Sequence, residues 1–264
     1  RIFFPLLQRS RFRVIMEGLA EIQAAVVNDS VSEQLGLLKS VGESWQPSDV
    51  LPDLSHDNWR ESLEGFRARA ELLPDELLVV LVGNIVTEEA LPSYQTWLNR
   101  TDGLKDETGA SQTPWALWTR GWTAEENRHG DVLSKYLYLS GRVDVRSVEV
   151  TVQHLLRNGF DLKSNGDAYR SIVYAAFQER ATKISHLGTG RLAEKYGDPT
   201  LAKICSLIAG DEARHEEAYK RLFAGILRRQ PSEGIIAFAE MMRQKIAMPA
   251  RLMSLSPHTF SEIQ

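Results

Sequence analysis

Glu126-Asn127-Arg128-His129 and Glu212-Ala213-Arg214-His215 are two copies of one pattern, a Glu followed three positions later by a His. On a helix, residues three apart share a face, so each copy aims a carboxylate and an imidazole at one point. The apolar periodicity around both copies is helical. Trp118, Trp122, Glu126, His129, Leu133 and Tyr136 form one stripe, and Leu201, Ile204, Ile208, Glu212, His215, Tyr219, Leu222 and Ile226 form another. Each copy has a lone Glu upstream on a further stripe. Glu88 lies with Leu77, Leu81, Ile85, Leu91, Gln95 and Leu98, and Glu179 lies with Ile172, Ala175, Thr182 and His186.

Four acids on the apolar faces of four helices need partners, because an unpaired buried carboxylate costs several kcal/mol. Two imidazoles cannot neutralise four carboxylates, whereas two divalent cations can. The order Glu, Glu-x-x-His, Glu, Glu-x-x-His is that of the ferritin-like two-metal bundles, in which two helices give one Glu each and two give a Glu-x-x-His. The expected fold is all-α: a ferritin-like helical bundle with the metal site between four long helices. Carboxylates and imidazoles without thiolate suit iron or manganese better than structural zinc. In this arrangement Glu126 and Glu212 bridge the metals, Glu88 and Glu179 are terminal ligands, and His129 and His215 each hold one metal.

The bulk numbers agree with a globular chain. It has 264 residues, 43% hydrophobic and 25% charged, with a formal charge of −4. The acidic balance argues against nucleic-acid binding, which needs a basic face. Cys205 is the single cysteine, so neither an internal disulfide nor a multi-thiolate metal site can form. The longest apolar run, Leu77 to Val82, falls far short of the roughly 20 residues of a membrane span, which predicts a soluble protein without a transmembrane segment.

Read in order, residues 1–44 form a basic N-terminal segment with short helices, broken near Asn28-Asp29-Ser30. Residues 1–16 carry Arg1, Arg9, Arg11 and Arg13 without an acid, as in the tail of an organelle transit peptide or in a basic first helix. Residues 45–253 form the bundle domain and 254–264 a tail. Within the domain, helices are expected at 57–72, from Pro74 through a kink at Pro92, at 113–139, 144–157 and 168–196, and from Pro199. Gly141 and Gly197 are helix stops. Pro231-Ser232-Glu233-Gly234 breaks the chain before a last helix at 235–247. Glu89, Glu125, Arg128 and Glu217 fall off the stripes and read as surface residues or as outer partners of the ligands. Trp118, Trp122, Tyr136 and Tyr219 read as core, His154 and His186 as ordinary, and His56 and His258 as exposed.

Longer motifs carry a family resemblance. Thr87-Glu88-Glu89-Ala90-Leu91-Pro92, Asp106-Glu107-Thr108-Gly109-Ala110-Ser111, Trp122-Thr123-Ala124-Glu125-Glu126-Asn127-Arg128-His129-Gly130, Lys135 to Arg142 and Phe177-Gln178-Glu179-Arg180-Ala181-Thr182 resemble the soluble plant-type acyl-[acyl-carrier-protein] desaturases from about Trp45 to Met253. The resemblance implies a ferritin-like homodimer with two Fe ions in a di-iron centre. It implies O2-dependent insertion of a cis double bond into a saturated acyl chain on acyl carrier protein, with electrons from reduced ferredoxin. The six ligands carry over to Glu88, Glu126, His129, Glu179, Glu212 and His215. Thr182 matches the threonine implicated in oxygen activation. Its plain alternative is a hydroxyl bonded back to the preceding turn. Trp45 and Asp211 match an electron route to His129, with Asp211 fixing that imidazole, and by pseudo-symmetry Glu125 would fix His215. The implied compartment is the plastid stroma, with a bacterial cytoplasm as the alternative.

The chain departs from the family at the expected mouth of the acyl channel. Trp97 and Arg100 stand where the plant stearoyl enzymes carry Met and Thr, and such a lining would shorten the pocket or change its preference. Phe160 to Ser171 departs as well, and family members usually continue past Gln264. Lys220, Arg221, Arg228, Arg229, Arg243 and Lys245 are candidates for docking acidic partners, against the plain reading of solvated charges. Two rival functions use the same ligands: a di-iron acyl hydroxylase or oxidase, and a non-enzymatic iron-binding protein or pseudoenzyme.

Overall fold

The computed structural model describes residues 3–244 with 246, 248 and 249, and side chains from residue 17 onward. Among the described residues there are nine α-helices and no strand. They are α1 (Phe3–Ser32), α2 (Trp59–Ala70), α3 (Asp75–Glu88), α4 (Leu91–Leu98), α5 (Pro114–Ser140), α6 (Val145–Asn158), α7 (Ala168–Tyr196), α8 (Pro199–Arg229) and α9 (Pro231–Arg243). Lys245, His258 and the tail at 254–264 lie outside the described residues.

Helices α7 and α8 form the most extensive pair, joined by a tight turn. Gly197 ends α7 at φ 87°, a left-handed conformation that costs glycine nothing, and the chain re-enters a helix two residues later. Asp198 caps α8 by accepting from Leu201 N at 2.9 Å, and it also accepts from the Tyr136 hydroxyl at 2.5 Å. Helix α3 packs on α5 and α7, α5 packs on α8, and α1 lies across α5, α7 and α8.

The core has two apolar layers with a polar layer between them. Leu81, Ile85, Val132, Leu133, Tyr136, Ile204 and Ile208 belong to one, and Val86, Trp118, Trp122, Ile172, Tyr219 and Leu222 to the other. Each large side chain buried there contributes about 1.5–3 kcal/mol. Together they hold apart the helices that carry Glu88, Glu126, Glu179 and Glu212. The stretch Asp75–Leu98 has the length and mean hydropathy (1.3) of a membrane-crossing helix, yet 61% of that window is buried in the bundle. It reads as a core element interrupted at Glu89 and Ala90.

Three expectations are corrected. Helix α1 runs unbroken through Asn28-Asp29-Ser30. Asn28 Nδ2 donates back to Ala24 O at 3.1 Å and Ser30 Oγ to Val26 O at 2.8 Å, so these polar side chains satisfy themselves on the preceding turn. Val27 and Val31 are buried in the same core as Trp118 and Tyr219. Gly225 on α8 lets the two helices approach, since a Cβ there would sit 2.6 Å from Ser30 Oγ. Secondly, Pro92 breaks the helix instead of kinking it. Without an N–H it leaves the carbonyl four residues back, that of Glu88, without its helical partner, and α3 ends at Glu88. Thirdly, the Pro231 stretch opens α9, with proline in the first turn as in α5 and α8.

Asp198 therefore does two jobs, and Asp144 does one, capping α6 at the surface. Asp198→Ala should lower stability by about 2–4 kcal/mol, through a lost cap and a stranded Tyr136 hydroxyl, against about 1 kcal/mol for Asp144→Ala. Urea unfolding midpoints check this; equal losses would sink the assignment of a second role to Asp198.

Candidate metal centre

All six residues expected as ligands come together, and all are buried. They form two quartets that share Glu126 and Glu212: Glu88, Glu126, His129 and Glu212, and Glu126, Glu179, Glu212 and His215. Within each quartet one ligand atom per residue lies within 4.8 Å of the others. His129 Nδ1 sits 3.3 Å from Glu126 Oε2, 3.6 Å from Glu212 Oε1 and 3.7 Å from Glu88 Oε2. His215 Nδ1 sits 2.8 Å from Glu126 Oε1, 3.6 Å from Glu179 Oε2 and 3.9 Å from Glu212 Oε2.

These atoms face one another without bonding. Glu126 Oε1, both Glu212 oxygens and both Nδ1 atoms make no hydrogen bond, even where His215 Nδ1 comes within 2.8 Å of Glu126 Oε1. Buried polar atoms in native proteins are nearly always paired, so an inward-facing set of unpaired donor atoms fits a cation between them. The cluster can hold metal, and its oxygen and nitrogen donors fit iron.

The outward atoms are all tied. Trp122 Nε1 donates to Glu179 Oε1 at 3.0 Å, and His186 Nε2 lies 2.8 Å from Glu88 Oε1. Each terminal carboxylate is thus pinned by one oxygen and aims the other inward. His129 Nε2 faces Asp211 Oδ2 at 3.4 Å, and His215 Nε2 faces Glu125 Oε2 at 3.1 Å. Those two acids reach across from the opposite helix, and both are buried.

A strap between α1 and α2 closes this side. Trp45 Nε1 donates to Asp211 Oδ2 at 2.9 Å, and its ring stacks on His129 with centroids 6.1 Å apart and planes 5° apart. Lys39 N donates to Glu125 Oε1 at 2.7 Å. Arg128 holds the carbonyl of Trp45 at 2.7 Å and Arg214 that of Leu37 at 2.6 Å.

The protein's own answer to this buried charge is protons. Burial works against a charged imidazole, but Glu126, Asp211 and Glu212 outweigh it and hold His129 well above its usual range. Glu125, Glu126, Glu179 and Glu212 do the same for His215. Burial pushes Glu179 well up, and the neighbouring Glu212 and Glu126 push it further. Burial raises Glu125 and Asp211 too, yet both are held down, Glu125 to about 2 by His215 and Arg214, Asp211 chiefly by His129.

The remaining candidates sit elsewhere. Thr182 is buried one turn after Glu179, and its hydroxyl donates to the carbonyls of Gln178 at 3.2 Å and Glu179 at 3.1 Å, within its own helix. Trp97 lies off the cluster, with Nε1 donating to Ser164 Oγ at 3.2 Å and its ring edge-on to Tyr174. Arg100 is exposed just past the end of α4. Of the docking candidates, Lys220 and Arg221 pair with Glu217 on their own helix, and Arg229 with Glu33.

Of the two readings of Glu125 and Arg128, surface residue or outer partner, the structure fits the second, since both are buried against the outer groups of the cluster, and His186, set against Glu88, is no ordinary histidine. Tyr94 was not singled out: it is buried with its hydroxyl unpaired, and burial, Tyr174 and the nearby Glu88, Glu126 and Glu179 keep it protonated. A signal for the outer residues was present. Both motifs read acid-Glu-x-Arg-His, as Glu125 to His129 and as Asp211 to His215.

Residues 19–264 match the fatty acid desaturase family. The chain is 57% identical over 213 residues to a "Stearoyl-[acyl-carrier-protein] 9-desaturase, chloroplastic" of Gossypium hirsutum, covering 81% of this chain and 54% of that one. It is 56% identical over 216 residues to an "Acyl-[acyl-carrier-protein] desaturase, chloroplastic" of Cucumis sativus, covering 82% and 54%. It is 54% identical over 234 residues to a "Stearoyl-[acyl-carrier-protein] 9-desaturase 1, chloroplastic" of Oryza sativa subsp. indica, covering 89% and 61%. The chain thus spans little more than half the length of these relatives. With the match running over nearly all of its residues, the chain belongs to the fatty acid desaturase family.

Proposed function

We propose that this chain is an acyl-[acyl-carrier-protein] desaturase of the plastid, working as a homodimer with two irons held by Glu88, Glu126, His129, Glu179, Glu212 and His215. The observation that carries the reading is the inward-facing set of buried carboxylate oxygens and Nδ1 atoms without hydrogen-bond partners. The relatives' names support the acyl-carrier-protein substrate and the compartment.

The balance of the reaction sets what the protein has to do. A saturated –CH2–CH2– pair loses two hydrogens to become –CH=CH–, and O2 takes these with two further electrons and two protons to give two waters. The irons, when bound, supply the oxygen chemistry. Reduced ferredoxin supplies the two external electrons. Trp45, at the edge of the core and bonded to Asp211, which faces His129, offers the route inward for them. Asp211 and Glu125 keep the outer Nε2 of each imidazole occupied so that Nδ1 faces the metals. Thr182, one turn after Glu179 on α7, offers a hydroxyl for a hydrogen bond at the centre once it leaves its helix carbonyls. Both apolar layers exclude water from the centre, and the chain must be held with two adjacent carbons in reach. Trp97, fixed by Ser164 and Tyr174, and Arg100 sit at the proposed mouth of the acyl channel.

Three outcomes follow. Protein loaded with ferrous iron and given saturated acyl-carrier-protein substrates of graded length, ferredoxin, its reductase, NADPH and oxygen should give a monoene, located by mass spectrometry after derivatising the double bond. A hydroxylated product would replace this reading with the hydroxylase, and no product from protein holding two irons would leave an iron-binding protein. Trp97→Met should shift the preferred acyl length upward by two or more carbons in the same assay, and an unchanged profile would remove Trp97 from the channel. Uptake of the metal pair should release protons, because burial and the neighbouring acids raise His129, His215 and Glu179 and ligands must be deprotonated to bind. Affinity should therefore rise with pH. Calorimetry in buffers of different ionisation enthalpy measures the release, and pH-independent binding would contradict it.

A further inference from the structure

Arg214 touches both of the outer carboxylates. Its Nη2 donates to Glu125 Oε2 at 2.6 Å and to Asp211 Oδ1 at 2.6 Å. With Glu125 facing His215 and Asp211 facing His129, an unbroken chain runs His129, Asp211, Arg214, Glu125, His215. The pseudo-symmetric Arg128 donates instead to Asp211 at 3.1 Å and to the Trp45 carbonyl.

A guanidinium is a planar fork with fixed donor directions, so it sets the position of one carboxylate relative to the other. Each carboxylate in turn sets the tilt of one imidazole and keeps its Nδ1 turned inward. We propose that Arg214 is a positioning residue that locks the two imidazoles into one unit, so that the two metal positions fill together. The inference rests on the metal-binding reading above.

Loss of Arg214 would not fall equally on the two halves. Asp211 would keep Trp45 Nε1 at 2.9 Å, Arg128 Nη2 at 3.1 Å and Lys39 Nζ at 3.4 Å. Glu125 would keep Lys39 N, which binds its other oxygen. The oxygen facing His215 would then have no second donor to hold it, and the His215 half would loosen while the His129 half stayed in place.

Anaerobic titration of the metal-free protein with ferrous iron by calorimetry, and with cobalt(II) by visible absorption, tests this directly. The unaltered protein should take up two metals in a single transition. Arg214→Met should split it in two, one step near the original affinity and the other weaker by about 10–100-fold. Arg214→Lys keeps the cation without the two-ended fork and should split it by less, which keeps the test available if the Met variant does not fold. Lys39→Met, which removes a 3.4 Å contact to Asp211 while Trp45, Arg128 and Arg214 still hold that acid, should leave one transition. Folded Arg214 variants that fill in a single step, at the original affinity or uniformly weakened, would overturn the coupling while leaving the metal site intact. A split in Lys39→Met of the same size would also overturn it. Unaltered protein that binds neither metal would overturn the metal reading, and this inference with it.

Discussion

Four carboxylates crowded around two imidazoles in the middle of a helical bundle repel one another and lose their water, and the surrounding structure works against both effects. Taking one such ion out of water costs several kcal/mol even after relaxation, more than any single pair repays. The bundle answers in layers. Inward atoms are left unpaired and close together, which suits a metal cation between them. Outward atoms are each tied to a donor or to a second acid, and those acids are tied to arginines. The charge is carried outward in steps until it reaches groups near solvent.

The apolar layers above and below make this arrangement rigid. Helix α5 passes from Trp118 and Trp122 through Glu126 and His129 to Leu133 and Tyr136, and α8 passes from Ile204 and Ile208 through Glu212 and His215 to Tyr219 and Leu222. Close-packed cores resist displacement by even a methylene, so the six inward residues inherit their positions from the apolar side chains above and below them. The break at Glu89 and Ala90 belongs to the same logic. Pro92 ends α3 at Glu88, and that carboxylate stands at the end of its helix with its side chain pinned by His186.

The long helices α5, α7 and α8 and the six inward residues were legible because burial and periodicity are local. A Glu on an apolar stripe is visible without knowing what lies opposite. The outer residues were only half legible. The repeated acid-Glu-x-Arg-His pattern is plain in the chain, but Glu125 and Asp211 lie off their own stripes because each points at the neighbouring helix. Their partners depend on how α5 packs against α8, which no single-helix pattern encodes. His186 was passed over for a related reason, since its value comes from Glu88 on α3, 98 residues away. Asn28 and Pro231 misled because each residue type has two uses. Asn breaks a helix or bonds back within it, and proline ends one helix or starts the next.

The pseudo-two-fold pattern of the bundle would by itself give two equivalent metal positions, and the strap from Leu37 to Trp45 removes that equivalence. At Asp211 it lays an indole that is both a hydrogen-bond donor and a ring stacked on His129; at Glu125 it offers a backbone amide. Under the proposed function, an aromatic ring stacked on one imidazole and not on the other would give electrons arriving from outside one favoured way in. A symmetric site would have to be supplied from both ends or from neither. On this view the strap turns a symmetric metal-binding bundle into a centre with a direction. The two arginines that hold its carbonyls, one from each motif, fix the strap to the same residues that orient the ligands. Any movement that loosened the strap would therefore also loosen the imidazoles, so the proposed electron route and the orientation of His129 and His215 depend on one set of contacts.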